Sequence, residues 1–126
     1  MKTIGSLIIA LVVLACTDTD AVGLPFSELI VFGDSLSDVG NVSQSTDEFL
    51  FTPQIPADQT DAYYEGRFSN GPVYSEQFAS LLGLGPMVHS RSGGKNYAHG
   101  NAKTTGTGIL ESIVIDDVDD QVDDYL

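Results

Sequence analysis

Residues 29–41 read LIVFGDSLSDVGN, and the parsing of this stretch decides the fold. The apolar run Leu29-Ile30-Val31-Phe32 has the β-branched and aromatic content of a strand, although four residues also fit one turn of helix. Gly33 ends the run and lets the backbone turn sharply. Ser35 follows two residues later. A serine on a glycine-assisted turn, just past a strand, is where α/β proteins often mount a nucleophile.

Outward from this turn, residues 36–42 read as the start of a helix packed behind the serine, with Asp38 able to cap or hydrogen-bond the turn. Residues 43–66 are rich in Ser, Thr, Asp and Gln, carry Pro53 and Pro56, and read as a long surface loop of the kind that lines binding sites. The stretch SNGPVYSEQFASLLGL, 69–84, predicts a helix. Asn70 lies near its cap, Pro72 suits its first turn, Val73, Phe78, Leu81 and Leu82 form an apolar face, and Gly83 ends it. Next comes GGKNYAHGNAKTTGTG, 93–108, with a short strand expected at Met87-Val88 before it and another at 96–98 within it. Five of its sixteen residues are glycine without any phosphate-loop order, so these glycines are read as points of close backbone approach.

The 126-residue chain allows one modest domain and carries five Lys and Arg against eighteen Asp and Glu, a net charge of −13. That balance excludes a basic stripe for phosphate backbones, so no nucleic-acid partner is expected. Six of the acids sit in the last eleven residues, DDVDDQVDDYL. There Val118, Val122 and Tyr125 or Leu126 recur at helical spacing, which predicts an amphipathic helix with that stripe facing a core. The tail lacks the turn glycine and oxygen spacing of a calcium loop.

Met1-Lys2 followed by the apolar run 4–15 has the charge and length of a secretory signal peptide, too short to span a bilayer. Cleavage after Ala15, Thr17 or Ala21 leaves small residues near the site, giving a leader of at most residues 1–21 and a mature domain from 22 to 126. The expected location is extracellular. Cys16 is the only cysteine, so no intrachain disulfide forms, and membrane anchoring arises only if Cys16 is lipidated in the alternative lipoprotein reading of VLAC.

Three segments, VFGDSLSDVGN, GRFSNGPVYSEQFASLLGL and GGKNYAHGNA, occur here in the order and approximate spacing of the GDSL, or SGNH-hydrolase, lipases and esterases. The chain resembles this family over roughly residues 28–126, and most of all its secreted acetylesterase, plant GDSL lipase and lecithinase-like subgroup. The resemblance implies a flavodoxin-like, doubly wound parallel α/β sheet, with the first strand central and the serine at its carboxyl end. It implies an ester hydrolase in which Ser35 is the nucleophile and forms an acyl-enzyme. Backbone N–H groups of Ser35 and of Gly100 or Asn101 would face the oxyanion, while Gly33, Asp34, Asp38 and Asn41 would support the turn. Asn101 stands where the family commonly has a second glycine. The implied substrate is an ester of a lipid or an acetylated carbohydrate, with no cofactor or metal.

Two further family motifs, G-x-N-D with its asparagine oxyanion donor and D-x-x-H with the base and its acid partner, are absent from the sequence. His89 and His99 lack an aspartate at that spacing and are read as ordinary polar histidines. The chain is therefore expected to be an N-terminal part of such an enzyme, inactive alone. The alternative is a non-catalytic binding or interaction protein that keeps part of the hydrolase fold. Asn41-Val42-Ser43 is a glycosylation sequon, for which a packed role of Asn41 is the favoured reading.

Overall fold

The computed structural model describes residues 27–49, 53–57, 62–106 and 113–126. The expected leader with its cleavage sites, and Cys16, lie outside the described residues.

Three short extended segments lie side by side in parallel. Val31 N–H donates to Lys95 O (3.0 Å), Tyr97 N–H to Val31 O (2.7 Å) and His99 N–H to Gly33 O (3.1 Å). On the other flank, Asn96 N–H donates to Val88 O (3.1 Å) and Ser90 N–H to Asn96 O (2.7 Å). Segment 95–97 is thus central between 31–33 and 88–90, and Asn96 pairs with both Val31 and His89. Each pairing amounts to an isolated bridge, and no sheet of longer strands forms among the described residues.

Four helical elements surround these segments: α1 (Asn41–Glu48), α2 (Tyr74–Leu81), a 3-10 turn (Ser90–Ser92) and α3 (Val118–Tyr125). α1 corrects the expectation of a helix starting at 36 and a loop from 43. Residues 34–37 form a turn, in which Ser37 and Asp38 donate to Asp34 O at 3.0 Å, and the helix begins only after Gly40. Its polar sequence stays helical because the side chains bond back along the helix: Ser45 Oγ to Asn41 O and Thr46 Oγ1 to Val42 O, both 2.8 Å.

α2 begins at Tyr74, with Val73 as its cap residue, so Asn70 lies outside the cap. Glu76 accepts the Val73 N–H (2.9 Å) and is held by Arg67 Nη2 (2.7 Å), tying the helix start to the preceding loop. The left-handed Gly83 (φ 67°) ends it, donating to Ser80 O, while Leu84 donates to Ala79 O. The buried face is not the expected one. Ser75 and Ala79 face inward beside the buried Val73, whereas Phe78 and Leu81 are 47% and 84% exposed.

α3 is likewise rotated from the expected stripe. Gln121 is its buried residue, Val122 is exposed, and Tyr125 meets Phe32 and Tyr97 edge-on at 5.8 Å. The helix start docks on residues 103–104: Val118 N–H donates to Lys103 O (2.9 Å), and Lys103 N–H to the buried Asp117 carboxylate (2.8 Å).

The core is small and polar. Among the described residues, the buried hydrophobic ones are Val31, Val39, Val42, Val73, Ala79 and Ala98, outnumbered by buried polar side chains that include Asp38, Asn41, Asn96, His99 and Gln121. Buried polar groups are stable only when their bonds are made, so hydrogen bonding carries much of the specificity here.

Candidate active site

The turn after 31–33 is shaped by Gly33, whose φ of 146° disfavours any side chain. Asp34 uses its carboxylate within the turn, accepting the Leu36 N–H (3.0 Å). Ser35 is half-buried, and among the described residues neither its N–H nor its hydroxyl has a hydrogen-bond partner. The turn therefore presents a donor and a hydroxyl that no other described residue satisfies.

Asp38 is fully buried and links the serine turn to the glycine-rich segment. Its Oδ1 accepts the N–H groups of Gly40 and Asn41, both at 2.7 Å, and its Oδ2 accepts those of Val42 (3.3 Å) and Gly100 (2.9 Å). One carboxylate thus satisfies free donors at the start of α1 and anchors the loop opposite, where the helix dipole also favours negative charge. Asn41 continues the link: its Nδ2 donates to Asn96 O (2.8 Å) and Ala98 O (2.9 Å), and its Oδ1 accepts from Ser90 Oγ and Arg91 N–H. Asn96 completes it, with Nδ2 donating to Ser37 O (2.8 Å) and Oδ1 accepting the Ala98 N–H.

These bonds bring residues 33–41 and 96–101 together. His99 O accepts the Ala102 N–H (3.1 Å), so residues 99–102 form a turn whose third residue, Asn101, has φ 70°. Asn enters this left-handed region more readily than most residues, so the turn forms without a glycine at that position. Gly100 lies against the Phe68 ring so closely that a Cβ there would force the ring to move. The close approach expected of this glycine-rich segment is thus against the GRFSNGP stretch. The Gly100 N–H is spent on Asp38, whereas the Asn101 N–H has no partner among the described residues.

Neither histidine bonds to the serine. His99 is 1% exposed, with Nδ1 bonded to Tyr97 O (3.0 Å) and Nε2 facing Arg91 Nε (3.5 Å) and Asp116 Oδ2 (3.3 Å), so both ring nitrogens have partners other than Ser35. His89 places Nε2 near Ser92 Oγ (3.3 Å), while its buried Nδ1 has no partner among the described residues. Burial holds its pKa below the usual 6.5; Asp38 opposes this, and Arg67, Arg91 and His99 add to it.

The contacts that sequence reasoning missed are those of Asn96, Asp116 and Gln121. Gln121 left a faint trace, as the one non-acidic polar residue of DDVDDQVDDYL, three residues after Val118 and four before Tyr125 on the same helix face.

No protein-family model matches the chain. Over 55 residues it is 47% identical to a phosphatidylcholine-sterol acyltransferase from Aeromonas hydrophila, a match covering 44% of this chain and 14% of that enzyme. Part of the chain is therefore similar to a lipase/acyltransferase-like enzyme. Among the described residues no helix is long and apolar enough to cross a membrane.

Proposed function

We propose that this chain carries the nucleophile of a secreted serine ester hydrolase of the GDSL type, built on a flavodoxin-like doubly wound sheet. The observation behind this reading is Ser35 itself, with N–H and hydroxyl both unpartnered on a turn that Asp34, Asp38 and Asn96 hold from either side. In the proposed reaction Ser35 Oγ attacks an ester carbonyl and the alcohol leaves, giving an acyl-enzyme. Water then releases the acid, or a second alcohol takes the acyl group. The oxyanion meets the N–H groups of Ser35 and Asn101; Gly100 supports the loop instead, because Asp38 holds its N–H.

The general base is neither His89 nor His99. The partial similarity to an enzyme acting on phosphatidylcholine and sterol favours lipid esters over acetylated carbohydrates as substrates. The parallel pairing of 31–33 with 95–97 supports the proposed sheet, in which the serine follows a strand at its carboxyl end.

The test is hydrolysis of p-nitrophenyl butyrate by the complete product of the gene, with and without Ser35→Ala, and labelling by a serine-directed phosphonate. Loss of at least about 1000-fold in kcat and label on Ser35 alone are expected. Activity persisting in Ser35→Ala, or label on Ser37, overturns the assignment. A complete product with neither activity nor labelling returns the chain to the class of binding proteins.

A further inference from the structure

Gln121 lies 88 residues from Gly33 in sequence, yet its carboxamide grips both backbone groups of that residue. Oε1 accepts the Gly33 N–H (2.8 Å), and Nε2 donates to Gly33 O (2.9 Å) and Asp116 O (2.8 Å). The side chain is 1% exposed, and both of its amide hydrogens are used. An amide that bonds the N–H and C=O of one residue does what the backbone of an adjacent strand would do. Packing alone does not call for it. The apolar docking of α3 is made by Tyr125 against Phe32 and Tyr97, and burying a carboxamide is favourable only when its bonds are completed.

Gly33 is also where the extended segment leaves its parallel pairing and turns toward Ser35. The Gly33 C=O is also bonded by the His99 N–H (3.1 Å), but its N–H is held by Gln121, and any rotation of the backbone at this φ of 146° re-aims the turn two residues on. From this geometry we infer that Gln121 is a positioning residue for the nucleophile: its carboxamide fixes the Gly33 peptide and so the direction in which Ser35 is presented. The inference rests on the reading of Ser35 as nucleophile. Displacing a reacting group by about 1 Å can cost about 100-fold in rate, which sets the size of the effect.

The test uses the complete gene product carrying Gln121→Met, which keeps the volume but removes every bond, and Gln121→Glu, which keeps only the acceptor for the Gly33 N–H. Both are expected to lower kcat for p-nitrophenyl butyrate about 100-fold, with KM within about two-fold. Amide NMR signals of Gly33 and Ser35 should shift while those of Val42 and Ala98 stay in place. Wild-type kcat in both variants, alongside an inactive Ser35→Ala, overturns the positioning role and leaves the nucleophile standing. Loss of kcat with amide shifts spread through α1 and 96–98, or with melting at the assay temperature, assigns Gln121 to general stability and overturns it too. Activity retained by Ser35→Ala removes the nucleophile, and the positioning role falls with it.

Discussion

Asn41 shows how much one buried side chain can hold in a core this polar. Four bonds radiate from its carboxamide, two to carbonyls of the central extended segment and two to the 3-10 turn. Asn41→Ala is expected to cost at least about 3 kcal/mol, because each buried group left without a partner forfeits about 1–3 kcal/mol. Urea denaturation measures this, and a loss below about 1 kcal/mol would contradict it. Both Nδ2 hydrogens are committed and the residue is fully buried, so the folded protein is expected to carry no glycan on the Asn41 sequon. Unchanged gel mobility after glycosidase treatment of protein secreted from eukaryotic cells checks this. His89 makes a second prediction at this scale. Its folded pKa lies below 6.5, so folded and unfolded chains are both neutral above that value and the fold is undisturbed there. As pH falls below 6.5 the unfolded chain takes up the proton first, and stability declines. His89→Gln should flatten the fall in melting temperature over that range; an unchanged slope would exclude His89 as its source.

Among the elements, α2 and α3 share one trait: each turns a small or polar side chain inward and leaves larger apolar ones outside. On α2 the inward residues are Ser75 and Ala79, and Ala79 is 1% exposed. Ala79→Leu is expected to destabilise the fold by about 1–3 kcal/mol through overpacking. Leu81→Gln, at an 84% exposed position, should change stability by no more than about 0.5 kcal/mol. Denaturation of the two variants side by side decides, and the reverse order would restore the face read from the sequence. The capping of α1 belongs to this scale too. Asp38 serves the helix start and the Gly100 loop with the same carboxylate, so Asp38→Ala should loosen both, visible as faster amide exchange at Val42 and Gly100.

At the scale of the molecule an imbalance shows: among the described residues the buried apolar side chains are no larger than valine, while Leu36, Tyr74, Phe78, Leu81 and Leu126 are exposed. The backbone groups of Ile30 and Phe32 also find no partner among the described residues, leaving an open edge beside Val31. Open edges and apolar patches template pairing with other chains. Residues 22–126 expressed alone are therefore expected to self-associate or fold only partly. Size-exclusion chromatography with hydrogen exchange tests this, and a monodisperse monomer with strongly protected Val31 and Tyr97 amides would contradict it.

The features legible in the sequence are those set within a few residues: the turn forced by Gly33 after an apolar run, the helix ended by Gly83, the helical spacing of residues 118–125, and the left-handed site that Asn101 tolerates. Each follows from local backbone sterics or from bonds a side chain makes to its own turn. Which helix face is buried, which N–H is left free, and where the histidines find partners were settled only in three dimensions. Asp38 meets Gly100 across 62 residues and Gln121 meets Gly33 across 88. A period of 3.6 residues shows that a helix has faces, but the face turned inward depends on the groups waiting there. Here those groups are the Gly33 N–H and a Gly33 C=O already reached by the His99 N–H, and a glutamine at the inward position bonds both.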